Sequence, residues 1–268
     1  MFDFYYICTN NDLNNLANNF IIEQLKEKFK EEKFFSKESL LAFYRQFDPN
    51  LNDSTFRWRI YDLKAKNIIT PLSKDLFTLN SKPEYKPSIG EFEKRIATKI
   101  EKQFQGVKYV IWSTKLVNEF LLHLTPRSIT ILQVELDALE PVYEFLKNLN
   151  IGNTYLQPNE KEIERYVFES EQSIILQSLI SKAPIRKTGK IYTITLEKMI
   201  VDLYCEKDLF IPFQGSELVH IINTAYERYS INFTSLFHYA RRRGKEAELK
   251  QFLKERTDIP KIIFNDKK

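Results

Sequence analysis

The 268-residue sequence has few of the residues that mark disulfide-rich, zinc-binding or membrane-spanning proteins. Its two cysteines, Cys8 and Cys205, are far apart and belong to neither a CxxC motif nor a Cys/His cluster, so they indicate neither a disulfide nor a zinc site. No apolar run approaches the roughly 20 residues that cross a bilayer. We therefore expect a cytoplasmic protein with reduced cysteines, no metal, no cofactor and no membrane contact.

Signatures of catalysis are also scarce. The six glycines form no glycine-rich phosphate loop, and no serine lies in a nucleophile elbow. The three histidines, His123, His220 and His238, each occur in an apolar run with helical spacing, which predicts core or interface positions. RKTGK at 186–190 lacks the glycine spacing of a Walker motif and predicts a hairpin turn with a solvated basic tip. We expect no catalytic residues and no enzyme.

Composition allows one large domain or two smaller ones. The 43% hydrophobic and 14% aromatic content supports packed cores, and the net charge of +4 is too small to imply general affinity for nucleic acid. The N-terminal run MFDFYYICTNND is apolar but short, with no basic flank or small-residue cleavage site. It predicts a strand or packing segment and not a signal peptide.

The segment from Ser36 to Leu79 has the pattern of a winged helix-turn-helix. Ser36 opens the amphipathic run SKESLLAFYRQF, and Asp48 to Asn52 form a turn that contains Pro49. Asp53 or Ser54 is expected to cap a second helix, STFRWRIYDLKAK. Two short apolar runs around a polar tip, from Ile68 to Leu79, then predict a β-hairpin.

The faces of the second helix suggest how it could read DNA. Phe56, Ile60 and Leu63 form an apolar stripe, expected to pack on Leu40, Leu41 and Tyr44 of the first helix. The opposite face and its flanks are polar, aromatic or basic. In a major groove, side chains near the helix start contact base edges and longer cations contact phosphates. The predicted DNA-binding residues are Ser54, Thr55, Arg57, Trp58, Arg59, Tyr61, Lys64, Lys66 and, at the hairpin tip, Lys74.

A second interpretation of this segment remains open. Winged helices also serve as protein-interaction modules, and an outward Trp58 is compatible with a domain or partner interface as well as with stacking on a sugar or base. Residues 54–66 hold four cations against Asp62, so the positive charge is local. A local charge suits a module that engages a few phosphates and depends on salt.

The rest of the chain predicts a second domain. SKPEYKPSIG at 81–90 has two prolines and a glycine, which is typical of a connection, and a helix with Phe92, Ile96, Ile100 and Phe104 on one stripe follows. Strand-like runs then alternate with helical runs at 114–124, 138–149 and 159–169 in the order β-α-β-α-β, which predicts an α/β sheet with crossover helices. From Thr195 the chain turns helical. We predict an α+β protein: a winged-helix domain at 1–82, a connecting segment and helix at 83–105, and an α/β domain with C-terminal helices at 106–268.

A metal-dependent nuclease is the alternative enzyme class. Such a site needs an acidic residue and a Glu-x-Lys type pair on a strand, to hold a divalent cation and orient water. The corresponding strand contains Gln133-Val134-Glu135 without the lysine. Glu135 and Asp137 are therefore interpreted as a solvated strand end and a helix cap.

Several stretches resemble a known family. DSTFRWRIYDLKAKNIITPLSKDLFTL is similar to the N-terminal domain of AbiEi-like antitoxins, the transcriptional regulators of bacterial abortive-infection systems. Four later stretches resemble the C-terminal domain of the same group: YVIWSTKLVNEF, LISKAPI, TLEKMIVDLY and INFTSLFHYARRRGKEAELKQFL.

The resemblance implies a two-part function. The winged helix would bind double-stranded DNA at the protein's own promoter, and two copies could occupy an inverted repeat. The C-terminal domain would support antitoxin activity against a nucleotidyltransferase-like toxin encoded alongside. Residues of the antitoxin function are not assigned by the resemblance.

Overall fold

The computed structural model describes residues 19–66, 68–79, 82–125, 127–167, 169–170 and 172–264. The chain is a mixed α+β protein that divides into two compact units, Met1–Ser81 and Lys82–Lys268. The predicted N-terminal strand at 1–12, which includes Cys8, lies outside the described residues. No helix of the described ranges is both long and apolar enough to cross a membrane.

The first unit combines three helices with a small antiparallel sheet. Its elements are α1 (residues 19–29), β1 (Phe35–Ser36), α2 (Lys37–Arg45), α3 (Asp53–Ala65), β2 (Ile69–Ser73) and β3 (Leu76–Leu79). The strand order is β1-β3-β2, with β3 in the centre. Strands β2 and β3 form the predicted hairpin, and β1 adds a third strand that the sequence pattern did not predict.

The two central helices of this unit begin at side-chain caps. Ser36 caps α2 as predicted, because its hydroxyl oxygen accepts a hydrogen bond from the Ser39 N–H at 3.1 Å. The predicted cap of α3 is wrong by one or two residues. Asn52 is the cap: its side-chain oxygen accepts from the Thr55 N–H at 2.8 Å, and this leaves Asp53 in the first turn, where its charge suits the helix dipole.

The core of the first unit lies between these helices and the sheet. The predicted stripe of α3 is confirmed, since Phe56, Ile60 and Leu63 are all buried. The Tyr44 and Phe56 rings make an edge contact with centroids 6.3 Å apart, so α3 packs on α2 through this stripe. Burial of a large apolar side chain contributes about 1.5–3 kcal/mol, so the stripe sets which face of α3 is left for solvent.

In the described residues, the second unit contains six strands and seven α-helices. Its elements are α4 (Glu91–Gln103), β4 (Tyr109–Ser113), β5 (Ile129–Val134), α5 (Leu139–Leu149), β6 (Asn153–Leu156), α6 (Glu160–Glu162), β7 (Ser173–Ser178), β8 (Ile185–Thr188), β9 (Ile191–Ile194), α7 (Leu196–Cys205), α8 (Ser216–Arg228), α9 (Phe233–Arg242) and α10 (Glu246–Arg256). Short 3-10 segments cover Thr114–Phe120, Leu136–Ala138, Ile211–Phe213 and Lys261–Phe264.

The central sheet has the order β4-β5-β7-β6. Strands β5, β7 and β6 are parallel, and α5 connects β5 to the edge strand β6, as the β-α-β pattern predicts. The predicted crossover between β4 and β5 is wrong: these strands are antiparallel, and Ser113 pairs with Thr130. The end of β4 therefore lies beside the start of β5, and the chain between them leaves and re-enters the sheet at the same end of the strands.

Some predicted helices are shorter than their patterns. Of the run 114–124, only Thr114–Phe120 is helical, as a 3-10 segment. Helix α6 is short and continues into a π-helical turn, Ile163–Val167. His123 therefore lies outside the described helices. His123 and His238, the latter on α9, are both exposed, so of the predicted core or interface positions the core is excluded for these two and the interface stays a prediction. His220 is half-buried on α8.

The segment before α4 belongs to the second unit. Glu84 forms a parallel bridge with Ser230, and Tyr85 is buried against the Phe120 and Tyr229 rings. Helix α4 contributes Ile96 and Ile100 to the core of the same unit, with the β4 and β5 side chains. The predicted connecting segment 83–105 is therefore packed within the second unit, and the division of the chain falls after Ser81.

A buried polar network joins α7 to α9. The Lys198 ammonium contacts a carboxylate oxygen of Asp202 at 2.5 Å and the Tyr239 hydroxyl at 3.2 Å, and Tyr239 donates to Asp202 at 2.8 Å. Arg243 extends the network to Glu206 at 2.9 Å. Burial raises the pKa of the Tyr239 phenol, so this hydroxyl stays a hydrogen-bond donor.

Candidate nucleic-acid interface

The exposed face of α3 is the candidate site. Trp58 is 65% exposed and Tyr61 is 69% exposed, and they lie three residues apart on the side opposite the buried stripe. Ser54, one turn before Trp58, is also exposed. At about 100° per residue, these three side chains share one face, as predicted, and present two aromatic rings to solvent.

The polar groups at the start of α3 are partly engaged in the cap. The Ser54 hydroxyl donates to the side-chain oxygen of Asn52 at 2.8 Å, and the same oxygen accepts from the Thr55 N–H. The Thr55 side chain is half-buried. Ser54 therefore points toward the helix start, where it retains acceptor capacity for an incoming ligand.

One flank of α3, formed by Arg57 and Lys64, faces the β2–β3 hairpin; we call it the hairpin flank. Lys64 places its ammonium 5.3 Å from the centre of the Phe77 ring on β3. Arg57 is exposed and lines a cleft of about 230 Å³ together with Lys37 at the start of α2. In the described part of the chain, neither Arg57 nor Lys64 has a carboxylate within ion-pair distance.

Lys74 lies at the hairpin tip, in the turn between β2 and β3, and is exposed as predicted. The Lys37 N–H donates to the carbonyl oxygen of Asp75 at 2.9 Å, so the start of α2 is beside this turn. Burial, and then the charge of Lys37, lower the pKa of Lys64. Lys37 therefore belongs to the same group of cations, although the sequence pattern did not predict it as a DNA-binding residue.

The other flank of α3, with Arg59 and Lys66, is different; we call it the paired flank. The Arg59 guanidinium lies 3.4 Å from Asp48 in the α2–α3 turn and 4.9 Å from the centre of the Tyr44 ring. Lys66 lies 2.7 Å from Asp62, one turn earlier on the helix. Both cations are thus engaged with groups of the first unit itself.

The predicted site residues therefore separate into two sets. The fold brings together Ser54, Trp58 and Tyr61 on the exposed face, with Arg57, Lys64 and Lys74 on the hairpin side. The fold places Arg59 and Lys66 on the other flank, where both make internal ion pairs. Lys37 was identifiable in the sequence only as the residue after the Ser36 cap, because its closeness to Lys64 depends on how α2 and α3 pack.

The alternative nuclease site has a different environment. Glu135 lies at the end of β5, with a carboxylate oxygen 3.4 Å from the Lys108 ammonium, and Asp137 lies in the following 3-10 turn. No group of three or more His, Cys, Asp or Glu side chains converges in a way that could hold a metal ion anywhere in the described ranges. Glu135 is therefore engaged by a lysine from the neighbouring strand end.

Taken together, the first unit presents an exposed helix face beside a hairpin, and the second unit is an α+β domain with C-terminal helices. The chain belongs to the family described as "Family of unknown function (DUF6577)", which matches residues 55–259 and so covers most of the second unit and the last third of the first. The match begins within α3 and ends after α10. No curated protein matches the chain.

Proposed function

We propose that this protein is a DNA-binding transcription regulator in which α2, α3 and the β2–β3 hairpin act as a winged helix-turn-helix. Helix α3 enters the major groove, with Trp58 and Tyr61 against bases and sugars and Arg57 at a base edge. A bidentate arginine contact to guanine discriminates by about 1–3 kcal/mol against the wrong base. Lys74 at the hairpin tip reaches a flanking phosphate.

One observation carries this proposal: the most exposed large aromatic side chains of α3 lie together on the face opposite its buried stripe. Trp58 and Tyr61 are 65% and 69% exposed, and the cations of the hairpin flank, Arg57 and Lys64, lie on the adjoining side of the same helix. Stacking of an exposed aromatic ring on a base, or packing of the ring against a thymine methyl group or a sugar, lowers the free energy of the complex. Cations beside the rings favour a polyanionic partner.

The more specific form of the proposal is an autorepressing antitoxin of the cytoplasm. Its support is the resemblance of residues 53–79 and of four later stretches to AbiEi-like antitoxins. Steric repression of its own promoter follows from a winged helix at an operator, and an inverted repeat would place two copies on the DNA. The functional counterpart is a nucleotidyltransferase-like toxin encoded beside this gene.

The test of DNA binding is fluorescence anisotropy with a duplex from the region upstream of the protein's own reading frame. Wild type is compared with Arg57→Ala on this duplex and on a scrambled one, at about 50 and 200 mM salt, a range over which phosphate contacts weaken strongly. Preferential binding to the upstream duplex that is lost in the variant supports the proposal. Equal weak binding to both duplexes, or none, contradicts it.

A protein-docking function for the same face is the second candidate. Exposed aromatic residues are also enriched at the centres of protein interfaces, and Trp58 and Tyr61 satisfy that description. This function predicts a partner contact that is lost in Trp58→Ala and is insensitive to salt.

The antitoxin form of the proposal is tested separately, by co-expressing the protein with the product of the neighbouring gene and measuring growth.

A further inference from the structure

The cations around α3 differ in whether an internal partner neutralises them. Lys66 lies 2.7 Å from Asp62, so its charge is already opposed within the helix. Lys64, two residues earlier, contacts the Phe77 ring at 5.3 Å. Within the described ranges, Lys64 has no carboxylate in ion-pair distance. Two lysines of one helix are therefore in opposite electrostatic situations.

Three lysines from three elements meet on the hairpin side. The Lys37 N–H is bonded to the carbonyl oxygen of Asp75, the residue after Lys74, which places the start of α2 beside the hairpin turn. Lys64 contacts Phe77, two residues further along the same strand region. Lys37, Lys64 and Lys74 are thus arranged around one end of β3.

This arrangement has an electrostatic cost in the free protein. Lys37 and Lys64 are close enough for the charge of one to lower the pKa of the other, an effect that adds to the burial of Lys64. Like charges that face each other are destabilising unless an anion lies between them. A phosphate oxygen is such an anion, and the α2 N-terminus offers a favourable dipole to it.

The carboxylates near these lysines limit where the anion can lie. Glu38, Asp53 and Asp75 line the cleft that Lys37 and Arg57 share. A phosphate would be repelled from the interior of this cleft. The favourable positions for a phosphate are therefore outside this cleft, near the ammonium groups of Lys37, Lys64 and Lys74.

We infer that Lys37, Lys64 and Lys74 hold the DNA phosphates on the hairpin side of α3, and that Lys66 on the paired flank contributes no phosphate contact. This inference rests on the proposed DNA-binding function and adds to it the orientation of the duplex. The backbone of one strand lies along the edge formed by the α2 N-terminus and the hairpin turn. The paired flank, where Asp48 and Asp62 neutralise Arg59 and Lys66, faces no phosphate.

The experiment measures how binding depends on salt in the full-length chain. Each phosphate contact contributes about −0.9 to the slope of log K against log salt, which is about a 3.5-fold loss of affinity between 50 and 200 mM. Each of three variants, Lys37→Gln, Lys64→Gln and Lys74→Gln, is expected to make the slope less negative by about 0.9, the contribution of one phosphate contact. Lys66→Gln is the matched control, since it changes the same residue type on the same helix, and its slope should equal that of wild type.

The results distinguish failure of this inference from failure of the proposed DNA binding. Equal loss of slope in Lys66→Gln and Lys64→Gln would overturn the inference while leaving DNA binding intact, and so would an unchanged slope in Lys37→Gln. If wild type binds no duplex, both the proposed function and this inference fail. Thermal unfolding of each variant, followed by circular dichroism, shows that a changed slope does not come from loss of structure.

Discussion

The Arg59 guanidinium lies 3.4 Å from the carboxylate of Asp48, so this arginine connects the middle of α3 to the turn that precedes it. The same guanidinium lies over the Tyr44 ring at 4.9 Å. Arg57, two residues earlier, is exposed and makes no ion pair among the described residues. Two arginines that are equivalent in the sequence pattern are therefore expected to have different functions.

Arg59→Ala should affect the stability of the fold, whereas Arg57→Ala should affect DNA binding. Arg59→Ala removes a partly exposed ion pair and a cation–π contact, and should lower the free energy of unfolding by about 1–2 kcal/mol. Arg57→Ala should leave stability within about 0.5 kcal/mol of wild type and weaken specific DNA binding at least tenfold, or about 1.4 kcal/mol. Urea unfolding and anisotropy titration measure the two quantities. A large loss of stability in Arg57→Ala would refute this division.

Trp58→Ala and Tyr61→Ala should weaken DNA binding without destabilising the fold. Both rings are exposed, so their removal creates no cavity and should change the free energy of unfolding by less than about 0.5 kcal/mol. Each ring is expected to contribute about 1–2 kcal/mol to the complex, by analogy with base–aromatic stacking. Phe56→Ala, on the buried stripe of the same helix, is the contrasting variant. It should cost about 3–5 kcal/mol of stability.

Unfolding at alkaline pH should depend on Tyr44. Burial raises the pKa of the Tyr44 phenol from 10.0 to about 12, partly opposed by the charge of Arg59. Below pH 10 the phenol is neutral in the folded and unfolded chains. Between pH 10 and about 12 only the unfolded chain ionises it, so stability falls with pH, by up to roughly 3 kcal/mol.

Tyr44→Phe tests this pH dependence, because phenylalanine keeps the ring and cannot ionise. The urea midpoint of the variant should decline less steeply than that of wild type between pH 10 and 12, and the two should have parallel profiles below pH 9. Tyr61→Phe serves as the control, since Tyr61 is exposed. Identical alkaline profiles for wild type and Tyr44→Phe would exclude a contribution from this phenol.

The Lys198–Asp202 pair should be sensitive to the loss of one partner. Both side chains are almost completely buried. Lys198→Met would leave Asp202 with Tyr239 and Arg243 but without its closest cation, and should cost about 3–5 kcal/mol. Lys198→Met/Asp202→Leu should cost less than the sum of the single changes, because neither charge is then left unpaired. A double-mutant cycle in urea measures the difference, and strict additivity would contradict the coupling.

Much of the local structure was predictable from the sequence because it depends on neighbours along the chain. The Ser36 cap, the stripe of Phe56, Ile60 and Leu63, and the basic turn of the β8–β9 hairpin follow from turn chemistry and periodicity. The exact α3 cap is not predictable from the sequence, since Asn52, Asp53 and Ser54 are all good capping residues and only the backbone geometry selects Asn52.

The sequence by itself determined the mixed α+β class, the apolar stripes of α3 and α4, and the exposed aromatic face of α3, because side-chain periodicity encodes which face is buried. The i, i+4 spacing of Asp62 and Lys66 already allows their ion pair. Only the tertiary structure decided what the other cations around α3 contact. Arg59 is paired with a residue eleven positions away, and Lys37 meets Lys64 through the packing of two helices and a hairpin. Such pairings depend on distances across the fold, and no spacing along the chain specifies them.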